Sequence, residues 1–422
     1  MNSTPRTIPP FKELAAALRA TTERLALDLA QSSASPPEWS ELEWAVARSV
    51  AAMQGISALL ANKVRWSGPP GWQSFLAEQR EQSLLRDARI GELLQRVHVA
   101  TCQAAVACVG LKGTALRALG VYGPGERPMA DIDLLVRAAD LEAIAPALHR
   151  IGYVKASATR RHQIFEPLAK RSLNAVGEHI DNPLKIEVHT AVAESLPIRP
   201  VDITARLECA DARPGLNEYP DLAALMLHLL LHAAGNIRAH ALRQIQLHDI
   251  AALSARLGDA DWRVLIAGSR TIGRLWWAFP PLALTARYYP QSIPRDVLFE
   301  LRDTCPRALR FTTDRHMLTD VSWSNLRVAA FPGIAWSRTP LEALRFIRSR
   351  VLPSRIALAE LQMALRAQPQ LERVRWYGAS HAERIVRWLF LRPPRVQTMM
   401  SVAAVLESGT ITTSRRSPSA RQ

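Results

Sequence analysis

Asp131 and Asp133 stand two residues apart in Asp131-Ile-Asp-Leu-Leu-Val136. Side chains alternate along a strand, so both carboxylates face one side, with Cα atoms roughly 7 Å apart. Ile132, Leu134 and Val136 face the other side and suit a core. A pair of acids on one face suits a hard divalent cation, which takes oxygen ligands. Asp-x-Asp also occurs in turns and on solvated strands, so spacing alone leaves both readings open. Glu187 lies between Ile186 and Val188 in Lys185-Ile-Glu-Val-His189, an alternating segment that reads as a half-buried strand. If that strand pairs beside the Asp strand, three carboxylates converge. One of them can then orient or deprotonate an attacking hydroxyl while metal ions hold a phosphate chain. Otherwise Glu187 is an exposed acid on a sheet edge. His189 shares the strand face of Glu187.

Lys112-Gly113-Thr114 follows a short apolar run, Ala104 to Leu111. A strand turning into a helix there offers amide groups to phosphate, and glycine allows close approach. Lys112 adds a point charge, and Thr114 is placed to cap the helix. An ordinary tight turn fits the same three residues, and the Walker frame GxxxxGK[ST] is absent. Arg127 either grips a phosphate with its fork or holds its loop by pairing an acid. Tyr122 reads as a packing residue. His228 and His232 share a helix face among Leu and Ala, which favours hydrogen-bonded core histidines. His240, Arg243, His248 and Asp249 form a lesser cluster of the same kind.

The elements around these residues read as three parts. Phe11 to Leu29 and Trp39 to Val64 carry apolar residues at helical spacing, and Ser67-Gly-Pro-Pro-Gly71 is a break. A long helix runs from Trp72 to about Gln103. The central α/β unit follows: the Ala104–Leu111 strand, a short helix from Ala115 to Leu119, and a Gly/Pro loop from Gly120 to Pro128. The Asp131–Val136 strand, a helix from Asp140 to Ile151 ended by Gly152, and strands near Tyr153, Phe165 and Ile186 complete it. From Asp221, a cap for Leu222 to Ala234, the chain reads as helical almost throughout. The expected segments are a helical 1–72, an α/β core over 73–210, a helical 211–330, a basic helical 331–409 and a disordered 410–422.

In order, the chain reads Leu111-Lys-Gly-Thr-Ala-Leu116, then Arg127-Pro-Met-Ala-Asp131-Ile-Asp-Leu-Leu-Val136, then Ile186-Glu-Val-His189. This resembles the uncharacterised nucleotidyltransferase family of the polymerase-beta-like superfamily, with its pattern LKG-x-x-L … R-x-x-D-I-D-L-L-V … E-x-H. One extra residue separates Arg127 from the acid pair. Weaker similarity continues through Leu229-Leu-Leu-His232 and Leu247-His-Asp249-Ile250, so the whole span is about 75 to 330. The resemblance implies an α+β fold, a mixed sheet flanked by helices, with two divalent ions (Mg2+ or Mn2+) and a nucleoside triphosphate donor. Asp131, Asp133 and Glu187 would be the metal-binding catalytic triad. Lys112, Gly113, Thr114 and Arg127 would lie along the nucleotide, with Gly113 at the glycine of the superfamily's Gly-Ser signature. The Thr in place of Ser leaves phosphate binding less defined. Of the two helix histidines, the resemblance favours His232 near the nucleotide.

The 422 residues, 48% of them hydrophobic, can bury a sizeable core. The greasiest stretches, Leu222 to Ala234 and Trp276 to Ala286, are shorter than a bilayer span, and no apolar signal core follows the N-terminus. No membrane span and a cytoplasmic location are therefore expected. The four cysteines form no CxxC pair, which argues against a zinc site or disulfide framework. Side-by-side acids on one strand do not suit glycoside hydrolysis, whose carboxylates flank the bond. No Ser-His-Asp or Cys-His nucleophile system is suggested. From Ala335 onward there are 15 Arg, no Lys and 5 acidic residues, so most of the net +15 sits in that tail. This charge suits a polyanion, and equally a solvated, Arg-biased helical surface. The acceptor of the nucleotide is open: a small molecule, a peptide, a protein or tRNA. A reading of another class is a nucleic-acid-binding or toxin-like protein on the same scaffold, for which Trp376, Tyr377 and Trp388 beside Arg would supply stacking.

Overall fold

A computed structural model describes residues 9–31, 33–158, 162–169, 176–209, 211–268, 275–327, 329–355, 358, 380–390 and 394–411. The expected tail therefore contributes only Thr410 and Ile411, which close the helix Val396–Ile411. Trp376 and Tyr377 lie outside the described residues.

The chain begins with α1 (Phe11–Gln31), α2 (Glu41–Met53) and α3 (Ser57–Lys63). Ser40 and Glu43 close a capping box at the start of α2. The segment Trp39–Val64 is thus two helices. Gly55, at φ +69°, takes the left-handed conformation that turns the chain between them. Then comes α4 (Pro70–Gln103), whose first residues are Pro and Gly at the expected break.

The central unit runs β1 (Ala107–Gly110), α5 (Gly113–Ala118), β2 (Asp131–Val136), α6 (Leu141–Arg150), β3 (Tyr153–Ala158), β4 (His162–Pro167) and β5 (Lys185–His189). A small hairpin, β6 (Ala193–Ser195) with β7 (Pro200–Asp202), follows, then α7 (Thr204–Leu207) and β8 (Gly215–Asn217). The sheet order is β3-β4-β5-β2-β1-β8. It is mixed: β2 and β5 run parallel, β1 and β8 run parallel, and the other pairs are antiparallel. The fold is α+β, with helices on both faces.

Strand alternation sorts the two faces. Ile132, Leu134 and Val136 pack with Leu93 and Val97 of α4 and Ile144 and Leu148 of α6. Leu135 and Val109 face the other way, into a cluster shared with α8 (Leu222–Ala239), α9 (Gln244–Ser254) and α10 (Asp259–Ala267). Asp221 caps α8 as expected, accepting from the Ala224 amide at 2.6 Å. The helix continues five residues beyond the expected end. Its 18 residues are apolar enough to cross a membrane by composition, but 72% of the stretch is buried inside the protein. Shorter helices follow, from Phe279–Tyr288 to Leu318–Val321, and basic helices Pro340–Val351 and His381–Phe390 come after them. One core runs through several segments: Ala26 of α1 shares a cluster with Val109, Leu207 and Leu231.

Candidate active site

The acids gather because β2 lies beside β5. The parallel register pairs Asp133 with Glu187, Asp131 with Lys185 and Leu135 with His189. Residues opposite each other in register share a face, so Asp133 and Glu187 project together. Ligand atoms of Asp133, Glu187 and His189 all lie within 4.8 Å of one another. Asp131 flanks this cluster on the same strand face. His189 thus belongs to the group that could hold a metal, beyond the three acids expected. β4 adds His162, whose Nε2 is 3.7 Å from Glu187 Oε2. The Glu-x-His spacing already puts His189 on the face of Glu187, but nothing in the sequence registers His162 against it.

Two nitrogen groups already sit on Asp133. Lys112 Nζ lies 3.0 Å and His189 Nε2 2.9 Å from its Oδ1. Burial opposes the Asp133 charge, but Lys112 and His189 outweigh it and hold this carboxyl well below the usual range. Burial, then the charge of Asp133, push Asp131 upward. Burial, then Asp133 and Asp131, do the same to Glu187. The site thus separates its acids by environment, one firmly ionised and two more basic.

Lys112 is held by the turn that ends β1. Leu111 donates its amide to Asp133 O at 2.9 Å, tying the turn to β2. Lys112 itself has φ +48°, ψ −113°, a conformation unfavourable for a side-chain-bearing residue. Its amide donates to Tyr219 Oη at 3.3 Å, and Tyr219 Oη lies 2.7 Å from His228 Nδ1. His228 is therefore a hydrogen-bonded core histidine. His232 lies one turn on, its Nε2 3.2 Å from Asn236. Burial, then the Lys112 charge, push His232 down to about 3.

Arg127 takes the second of its two expected roles. Its Nε and Nη2 reach Asp249 Oδ1 and Oδ2 at 2.8 and 2.7 Å, a two-point fork. Tyr122, expected only to pack, donates to Asp249 Oδ1 at 2.7 Å. The same guanidinium lies against Gly113: a Cβ there would fall on Arg127 Nη1. Gly113 is thus needed for Arg127 to pass. Thr114 does not cap α5. The helix starts from Lys112 without a side-chain cap. Successive helical side chains diverge, and Thr114 Oγ1 turns away, buried and without a hydrogen-bond partner. It lines a separate cavity of about 600 Å³ walled also by Leu94, His98, Asn217 and Tyr219.

Sequence reasoning missed Arg86. It lies on α4, 3% exposed, and donates to Met129 O at 2.9 Å and Asn182 O at 2.7 Å. Those carbonyls precede β2 and β5, so one side chain ties together the entries to both acid strands. Nothing in the long polar face of α4 distinguishes Arg86 from its neighbours.

The sequence model of a family described as uncharacterised nucleotidyltransferase matches residues 40–290, more than half of the chain. No curated protein and no solved structure matches. The matched span holds the whole sheet, the acid cluster, the Lys112 turn and the Arg127–Asp249 pair. Sheet, acids and match agree, and the chain belongs to the uncharacterised nucleotidyltransferase family.

Proposed function

We propose that the acid face transfers a nucleoside monophosphate from a nucleoside triphosphate to an acceptor hydroxyl or phosphate, releasing pyrophosphate. The observation that carries this reading is the β2–β5 register, which pairs Asp133 with Glu187 and leaves Asp131 on the same face. The donor set fits a divalent ion. Carboxylate oxygens suit Mg2+, and the His189 imidazole brings in a nitrogen that suits Mn2+. Such ions, when bound, neutralise charge on the phosphates and polarise the reacting phosphorus.

The chain's own residues then have distinct work. Asp133, kept ionised, and Asp131 are the metal-holding acids. Lys112 would bring its positive charge to the phosphates where a metal took its place on Asp133; burial opposes that charge, but Asp133 and Asp131 sustain it. Glu187, with its raised pKa, orients the acceptor hydroxyl and takes its proton. Gly113 and its amide face the phosphate chain, with Arg127 fixing the turn from behind. His232, partly buried and kept neutral by burial and the Lys112 charge, lines the helix side.

The acceptor falls into no single class on these grounds: a small molecule, a peptide, a protein or tRNA. The exposed arginine-bearing helices Pro340–Val351 and His381–Phe390 suit a polyanionic one. The test is pyrophosphate release. The purified protein is incubated with each nucleoside triphosphate, Mg2+ or Mn2+, and cell extract as the acceptor source. Release that depends on metal and is lost in D131A and D133A supports the reading. No release with any triphosphate, while Mn2+ still binds, contradicts it.

A further inference from the structure

The cations around the site are mostly spent. Lys112 lies on Asp133, and Arg127 forks onto Asp249. Arg86 is used by backbone carbonyls and by Glu178, 2.6 Å from its Nε. Arg243 differs. Among the described residues it has no ion-pair partner, and its Nε is buried without a hydrogen bond. Among the described residues its hydrogen bonds are made by the backbone: the amide donates to Gln246 Oε1 at 3.0 Å, and the carbonyl accepts from the Gln246 amide at 3.0 Å.

Its place is built. Arg243 stands at the N-cap position of α9, the helix that carries Asp249, without a side-chain cap bond, and the charges of Arg127 and Asp249 both act on it. Its guanidinium lies over Gly55, where a Cβ would fall on Nη2. The left-handed turn between α2 and α3 therefore makes room for it. The surroundings disfavour an unpaired charge: burial, then the charge of Arg127, lower the Arg243 pKa, while Glu178 and Asp131 act the other way. A guanidinium does not shed its proton in a protein. Such a group is best relieved by an anion that arrives from outside, because no carboxylate among the described residues comes to ion-pair distance.

We propose that Arg243 receives the phosphates beyond the α-position of a nucleoside triphosphate bound at the acid face. The inference rests on the nucleotidyl-transfer reading. The α-phosphorus must sit at Asp131 and Asp133 for transfer, and the Arg243 charge reaches Asp131 without pairing it. A planar guanidinium fork suits the β- and γ-phosphates, which leave as pyrophosphate.

The test is equilibrium binding by calorimetry in Mg2+, with an α,β-methylene triphosphate and the matching monophosphate. Wild type is expected to prefer the triphosphate. Arg243→Ala should weaken triphosphate binding about ten- to hundredfold, as for loss of a charge-assisted contact, and leave the monophosphate nearly unchanged. Arg243→Lys, which keeps charge but not the fork, should fall between. Arg243→Gln gives the same comparison should the Ala variant not fold. Mn2+ binding, followed by electron paramagnetic resonance, should match wild type in all three. Variants that bind the triphosphate as tightly as wild type overturn the inference alone. Wild type that binds no triphosphate overturns the nucleotidyl-transfer reading, and the inference with it.

Discussion

Lys112 Nζ lies 3.0 Å from Asp133 Oδ1, so the ionised carboxylate of the site carries a side-chain cation before any metal arrives. A metal held by Asp133 would compete with Lys112 for this oxygen. Removing the amine should free it.

Lys112→Met is therefore expected to tighten Mn2+ binding about three- to tenfold in the absence of nucleotide. The same variant should lose at least about tenfold in turnover, since the phosphates lose a charged partner. Mn2+ titration followed by electron paramagnetic resonance measures the first effect. An unchanged Mn2+ affinity would mean that the pair does not obstruct the metal.

Asp249 is buried, Arg127 is largely so with its side chain 15% exposed, and the two lie 122 residues apart in sequence. Asp249→Ala strands the guanidinium and the Tyr122 hydroxyl together. Loss of one partner of a buried pair is expected to cost about 3–5 kcal/mol. Urea unfolding of D249A, R127A and the double variant measures it. The double variant should lose less than the sum of the singles, and strict additivity would show the two side chains to be uncoupled.

Gly113 tests the same contact from the other side. An Ala there pushes on Arg127 and on Met129 Cγ, 3.2 Å from the built Cβ. The expected loss is about 1–3 kcal/mol, as for overpacking, with a larger fall in activity than in stability. Gly113→Ala with wild-type activity would contradict the placement of this turn.

Much of the site was legible in advance, for a physical reason. β5 and the first half of β2 alternate apolar and polar residues, and the observed ends of both strands match the expected ones residue for residue. The convergence of Asp133 with Glu187 was conditional on pairing, since alternation tells faces but not neighbours. β6, β7 and β8 are three residues each, too short for any period to show. β1 starts three residues later than expected because Ala105, at φ +55°, is still part of the turn out of α4. Side-chain partners were the least legible. A lone arginine such as Arg86 or Arg127 carries no mark of the distant carbonyl or carboxylate it meets. The cap reading of the Thr114 hydroxyl rests on residue type alone, whereas α5 starts at Gly113, one residue before it, with Lys112 at the N-cap position.

Acid should weaken the fold through the histidines of α8. Burial, then the Lys112 charge, lower both His228 and His232, the latter to about 3. An unfolded-chain histidine takes its proton near 6.5. As pH falls below that value the unfolded chain binds protons and the folded one does not, so stability drops. Each group contributes up to about 1.4 kcal/mol per pH unit, until His232 protonates near 3. Unfolding free energies of wild type and His232→Gln from pH 7 to 5 check this. The variant should show the shallower slope, and equal slopes would contradict a neutral, buried His232.

The central claim is nucleotidyl transfer at the β2–β5 acid face. Its most direct test uses a nucleoside triphosphate labelled at the α-phosphate in one sample and at the γ-phosphate in another. Each is incubated with metal, acceptor extract and either wild type or Asp133→Ala. The account predicts stable acceptor labelling from the α-position only, at least about a hundredfold weaker in Asp133→Ala. Labelling from the γ-position, or α-labelling that survives Asp133→Ala in full, would contradict it.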